Sequence, residues 1–286
     1  MYCCFLIHLQ GDMAAFMPLN AEAREAVRQL EDRRHLAQIK VSYGVVLTQL
    51  GRHDEAREKV EEGIAVWREV GDPRGEARAF ANLATFAKVA GDHDRARQLC
   101  QYSRTLFEQC GDMDGLAWSF NHEADAARWG GDLESAHQLL TLALDRFRAA
   151  DDDAGAATCL ADLATISIEE DPSRAEQHAL EALRMLMVTG HSREIAHVFE
   201  TLARVAWQQG APERALRLAG AVAAIKRKFG RYDRLELRHP DDAVELEKVI
   251  TKSQERTGSQ AATFWMEGWS APLTDTVEYA LATRPG

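Results

Sequence analysis

The sequence predicts an all-α fold: a solenoid of antiparallel helix pairs that repeats every 40 residues and ends in a helical cap. Two observations carry the repeat. Gly71-Asp72 returns as Gly111-Asp112, and Gly91-Asp92 returns as Gly131-Asp132, each 40 positions on, while Ala96 returns as Ala136. A fixed period of this size marks a stack of supersecondary units rather than one globular core. The third observation is composition. Of the 286 residues 46% are hydrophobic, enough to bury a continuous core.

Each unit divides into two helices, each ended by Gly-Asp or a near relative. Glycine just past a helix end suits the left-handed cap conformation, and an aspartate beside it caps the next helix through its side-chain oxygen. One dipeptide therefore stops one helix and starts the next. On this pattern the first helices are expected over residues 36–50, 75–90, 115–130, 154–169 and 193–209. The second helices are expected over 53–70, 93–110, 133–150, 172–189 and 212–229. Residues 20–34 read as an orphan second helix, so the array begins mid-repeat. In the fourth unit EEDPSRA replaces the usual turn, one residue shorter, and Pro172 suits the first turn of a helix.

Charge and cysteine usage narrow the function classes. The net charge is −11 and the pI near 5.4, which argues against direct nucleic-acid binding, a task that needs a large cationic surface. The five cysteines, Cys3, Cys4, Cys100, Cys110 and Cys159, form no CxxC pair, the pattern of reduced thiols in a cytoplasmic protein. Cys100 takes a helix position that other units fill with Val60, Leu140 and Ala179, and reads as core. The opening MYCCFLIHL is apolar, but it lacks a basic flank and is shorter than the roughly 20 residues of a membrane span. No membrane association is expected. Residues 1–19 read as a disordered extension, with Met13 or Met17 as alternative starts, 20–230 as the repeat array and 231–286 as the cap.

The small and large positions of the units carry a family resemblance. Phe80, Leu83, Ala84, Ala87, Gly91, Ala96 and Ser103 in the second unit, and Phe120, Ala124, Ala127, Gly131, Ala136 and Ala143 in the third, resemble the tetratricopeptide (TPR) pattern. Tyr43, Gly44 and Leu47 open the same pattern in the first unit, Leu160, Leu163 and Ala164 in the fourth, and Phe199, Leu202 and Ala203 in the fifth. Small residues at these places let antiparallel helices approach closely. The 40-residue length is similar to the long-helix repeats of bacterial signal-transduction ATPases and kinesin light chains. The resemblance implies a right-handed superhelix whose first helices line a concave groove.

After Gly230 the period fails, and residues 241–257, 259–269 and 273–283 read as three further helices. Their order, with Phe264, Trp265 and Trp269 followed by PLTDTVEYALA, resembles the C-terminal end of LuxR-type bacterial regulators. In those regulators an ATPase precedes a TPR-like domain. The resemblance implies a bacterial sensor module for transcription or signal transduction, with ATPase and DNA-binding parts missing or supplied in trans.

Chemistry is sparse. No GxxxxGK[ST], HExxH or GxSxG stands in the chain. The ten histidines make no i, i+4 pair, so no metal is expected, and no cofactor loop appears. The basic run Lys226–Arg238 reads either as cations at a helix C-terminus or as a contact for an acidic partner. One enzyme reading is open, with His122 and Asp125 as acid and base, but no nucleophile accompanies them.

The first helices offer a better site. Asn82, His122, Asp162 and Thr201 recur at one position, Thr85, Asp125, Thr165 and Arg204 three residues on, and Lys88, Arg128 and Trp207 three further. Residues three apart share a helix face. With Arg78, Trp118, Asn121 and Trp129 they draw a mixed polar and aromatic stripe, and tryptophan is enriched at binding hot spots. A chaperone-type carboxylate clamp is not expected, because Ala81 and Thr85 stand where its polar anchors would be. The sequence-based expectation is a non-catalytic scaffold that binds a protein, peptide or small effector in this groove. A free-standing regulator that changes pitch on binding a peptide is the alternative.

Overall fold

Gly71 shows how the chain is cut into helices. It sits at φ 66°, its N–H bonds to the Arg68 carbonyl at 3.1 Å, and the Asp72 N–H reaches back to the Trp67 carbonyl at 3.0 Å. These two bonds close the exposed carbonyls of one helix. The Asp72 side chain then accepts from the Gly75 N–H at 3.0 Å and opens the next helix. The same device recurs at Asp92, Asp112 and Asp132, whose carboxylates accept from the N–H groups of Arg95, Gly115 and Ser135. In the fourth unit Asp151 takes the left-handed position at φ 53°, and Asp171, ahead of Pro172, caps through the Arg174 N–H.

The structure is a computed structural model and describes residues 32–189, 192–229 and 239–282, together with Glu22. The array holds α1 (Arg33–Gln49), α2 (His53–Glu69), α3 (Pro73–Val89), α4 (His93–Cys110) and α5 (Met113–Trp129). It continues with α6 (Leu133–Ala149), α7 (Asp153–Ser167), α8 (Pro172–Thr189), α9 (Ser192–Gln208) and α10 (Pro212–Phe229). Three more helices follow: α11 (Pro240–Thr257), α12 (Ala261–Ser270) and α13 (Leu273–Ala282), with a 3₁₀ turn at Gly258–Gln260 before α12. No strand occurs among the described residues. The ten helices expected for the five units and the three expected after Gly230 are thus found, with ends shifted by a few residues. The extension over 1–19 and most of the orphan helix over 20–34 lie outside the described residues. Of the latter only Glu22 and residues 32–34 are described, and Asp32 caps α1 while Arg33 and Arg34 open it. Residues 230–238 also lie outside them.

Two compact units, Met1–Leu142 and Ala143–Gly286, make up the chain. In the first, α1 pairs with α2 and α3 with α4, while α1, α3 and α5 lie side by side. Its core joins Val41, Leu47, Val60, Ile64, Leu83, Phe86, Leu99 and Cys100. In the second, α7 pairs with α8 and α9 with α10, and α11 lies against α9 and α10 as a sixth first helix would. Val249 of α11 closes on Ala206 and Ala215 there.

An aromatic wedge also keeps the 40-residue period. Trp67, Phe107 and Phe147 end successive second helices and press on Gly75, Gly115 and Gly155, where a Cβ would collide with the ring. Glycine inside a helix costs about 1 kcal/mol relative to alanine, and close packing of a large ring is what it permits here.

The last two helices turn back over α10. A Cβ at Gly220 would overlap the Trp265 carbonyl, and one at Gly268 the Arg217 carbonyl, so α10 and α12 touch backbone to backbone. Arg217 lies over Phe264 at 4.8 Å and Tyr279 at 5.5 Å and binds Glu267 at 2.5 Å. Arg214 binds Glu176 at 2.6 Å and the Ala280 carbonyl at 3.4 Å. The expected cap is therefore two constructions: α11 prolongs the array, and α12 and α13 fold onto its second-helix layer.

Candidate ligand groove

A concave pocket of about 390 Å³ lies across α1, α3 and α5 in the first unit. Two register positions of the repeat line it. The first supplies Gln38, Arg78 and Trp118 from the three helices in turn, and the second supplies Asn82 and His122 one helical turn later. Residues four apart lie on one face, so the lining is one stripe repeated by the 40-residue period. Val41, Ala81, Thr85, Trp67 and Phe107 add to the lining, with Asp114 from the start of α5.

The polar groups here are part held and part open. The Asn82 side-chain amide donates to the Arg78 carbonyl at 2.9 Å, which leaves its Oδ1 as an acceptor. The Thr85 hydroxyl donates to the Ala81 carbonyl at 3.2 Å. The Trp118 and His122 rings lie 6.2 Å apart at a tilt of 33°. Both are half-buried, and Arg78 is exposed.

Of the expected stripe, Arg78, Asn82, Thr85, Trp118 and His122 come together in this pocket. Lys88 is buried and paired with Asp125, its ammonium 4.9 Å from the Trp129 ring. That engagement ties Asp125 to a cation in place of a free role beside His122. Trp129 also faces His93 at 6.3 Å, Asn121 is buried, and Arg128 is half-buried. Close by, Glu123 binds Arg104 at 2.8 Å and Gln101 at 3.0 Å. Burial pushes the neighbouring Cys100 thiol up to about 12, which makes it an inert core group.

The remaining expected residues belong to the second unit, where most are engaged with one another, and Arg204 and Trp207 line a pocket of about 200 Å³ between α9 and α11. The Thr165 and Thr201 hydroxyls lie 2.9 Å apart and buried. Asp162 sits 3.5 Å from His197 Nε2. Arg204 binds Asp242 of α11 at 3.0 Å, and Trp207 lies under Arg256 at 5.9 Å. In the basic run, Lys226 binds Glu200 at 2.7 Å and Arg227 lies over Trp269 at 5.6 Å.

Sequence reasoning missed Gln38, Val41 and Asp114. Gln38 was findable, since it stands 40 residues before Arg78, the first position of the same stripe. Asp114 had no such signal. Among the described residues no group of three His, Cys, Asp or Glu side chains is placed to hold a metal. Nor is any described helix long and apolar enough to cross a membrane.

Residues 35–109, which carry α1 to α4, match the tetratricopeptide repeat family model. The repeat is tetratricopeptide-like. Solved structures agree on the fold along most of the chain. BtubC (BKLC) from P. vanneervenii is similar at a TM-score of 0.62 and 17% identity, over 74% of this chain and 89% of that one. A putative kinesin light chain of Podospora anserina with TPR-like repeats is similar at 0.51 and 18%, over 70% and 95%. A signal transduction ATPase with numerous domains (STAND) from Pyrococcus horikoshii, with a tetratricopeptide repeat sensor, is similar at 0.60 and 14%. That match takes in 92% of this chain and 41% of the larger protein. No curated protein matches significantly. TPR-like arrays of this kind are generally scaffolds rather than enzymes.

Proposed function

We propose that this chain is a non-catalytic TPR-like binding module that holds an extended protein segment in the groove of α1, α3 and α5. The observation that carries the reading is the repetition of one half-open polar and aromatic stripe on three neighbouring helices. A segment laid across them meets chemically similar lining at each step. Partly buried tryptophan with amide and cationic neighbours is the composition that binding surfaces favour. The likeness to a STAND protein's repeat sensor supports a role as the sensing part of a bacterial transcriptional or signalling regulator. Its ATPase and DNA-binding parts would then act in trans, in the cytoplasm.

The test is affinity capture from native lysate with two proteins, the wild type and an Asn82→Ala, Trp118→Ala double variant with an unchanged melting curve. A partner retained by the first and lost by the second supports the groove. The same set of proteins recovered with both would remove it as the binding site.

A further inference from the structure

The groove holds two charges that the repeat does not use. Helix α3 carries three cations. Arg74 binds Asp112 at 2.8 Å and Lys88 pairs with Asp125, whereas Arg78 makes no ion pair among the described residues and lines the groove. Helix α5 carries three carboxylates. Glu123 is bound by Arg104 and Asp125 by Lys88, whereas Asp114 makes no ion pair among the described residues and lines the same groove. The two therefore do not pair with each other.

Asp114 also breaks the repeat. Its equivalents 40 and 80 positions earlier are Arg74 and Arg34. Each of those binds the capping aspartate of the next first helix, Arg34 to Asp72 and Arg74 to Asp112, both at 2.8 Å. At position 114 the charge is reversed and that structural duty is dropped. Its favourable position in the first turn of α5 accounts for tolerance of an acid there, but not for its facing the groove opposite a free arginine.

Resting on the proposed groove, we infer that its ligand is an extended peptide bearing an acidic and a basic side chain about three residues apart. The acid sits on Arg78 and the base on Asp114. Packed helices lie about 8–10 Å apart, and Asp114 stands one helical turn, about 6 Å, before the register of Arg78. The two are therefore roughly 10–12 Å apart along the surface, and an extended chain advancing about 3.3 Å per residue covers that gap in about three residues. An intervening apolar side chain then lies against Trp118. Asn82 Oδ1 is free to accept a backbone N–H. Arg78 is on the middle helix of three, with Gln38 on one side and His122 on the other. An internal acidic side chain therefore uses the whole groove, where a terminal carboxylate would leave half of it empty.

The experiment is selection of phage-displayed random dodecapeptides on the full chain, followed by fluorescence polarisation of the enriched peptides. Enrichment of an acid–base pair at that spacing is expected, with affinity reduced about tenfold or more by Arg78→Glu or by Asp114→Lys and weakened by salt. The double variant Arg78→Asp, Asp114→Arg should then prefer peptides with the two charges exchanged. Enriched peptides lacking the pair, or no enrichment at all, would overturn the inference, as would wild-type affinity in both single variants. If such unpaired peptides are still lost in Trp118→Ala, the groove reading survives alone. If they bind Asn82→Ala, Trp118→Ala unchanged, both readings fall.

Discussion

The first helices of the two units carry the same repeat positions and use them in opposite ways. In the first unit Arg78, Asn82, Trp118 and His122 face a pocket. In the second the equivalents of those positions are occupied: His197 is buried beside Asp162, and Thr201 is bound to Thr165. Arg204 and Trp207, at the registers of Asp125 and Arg128, contact Asp242 and Arg256 and line a smaller pocket of about 200 Å³. The difference lies in the neighbours. Helix α9 brings His197 and Thr201 to Asp162 and Thr165 of α7, while α3 and α5 pair only further along the stripe, Lys88 with Asp125, and leave its first two registers lining a pocket. A polar stripe on a TPR-like array is therefore left open only where the adjacent helix lacks the complementary group.

This contrast predicts a graded set of stability effects. The largest belongs to the second unit, where polar groups are desolvated. Glu176→Ala leaves the Arg214 guanidinium, 7% exposed, without its carboxylate. Breaking a buried pair from one side costs about 3–5 kcal/mol, readable as a lowered urea midpoint. A loss under about 1 kcal/mol would mean that the Ala280 carbonyl suffices for Arg214 and that α13 carries the contact. Next comes Arg204→Ala, which removes one partner of Asp242. A charged hydrogen bond in partly buried surroundings is worth about 2 kcal/mol, and the loss should be accompanied by loosened α11 amides in hydrogen exchange. Thr201→Val keeps the shape and takes one hydroxyl from a buried pair, at a cost of about 1 kcal/mol. No change on that substitution would mean that the hydroxyl pair does not fix the spacing of α7 and α9.

The fold was almost wholly legible in the sequence because its signals are local. Gly71, Gly91, Gly111 and Gly131 each mark a left-handed cap, and the aspartate after each is both the end of one helix and the start of the next. Such pairs need no long-range information. The aromatic wedge was equally periodic, but Trp67 and Gly75 stand in different helices, and nothing short of the packed pair says that one fills the space the other leaves. The site was half legible. Periodicity named the face, since Asn82 and His122 share a register, but not its fate. Thr165 shares the register of Thr85 and Thr201 that of Asn82, and the two were consumed by each other, because hydroxyls on adjacent helices meet only at a spacing that packing sets. The role of α11 was legible as a helix but not as a sixth first helix, since its contacts to Ala206 and Ala215 lie beyond the last repeat signal.

The smallest stability effect is expected in the groove, and it is the sharpest test of the contrast. Arg78 is exposed with no ion pair among the described residues, and the Asn82 amide binds only the carbonyl of its own helix at 2.9 Å. Replacing both with alanine removes one local hydrogen bond and adds two better helix formers, so the unfolding free energy should stay within about 0.5 kcal/mol of wild type. If stability falls instead by 2 kcal/mol, these residues hold α1, α3 and α5 together as Arg204 holds α9 to α11, and the first unit has no open stripe. If stability is kept while a bound peptide is lost, the two helix faces differ in kind. One is then spent within the fold, and the other is left for a partner.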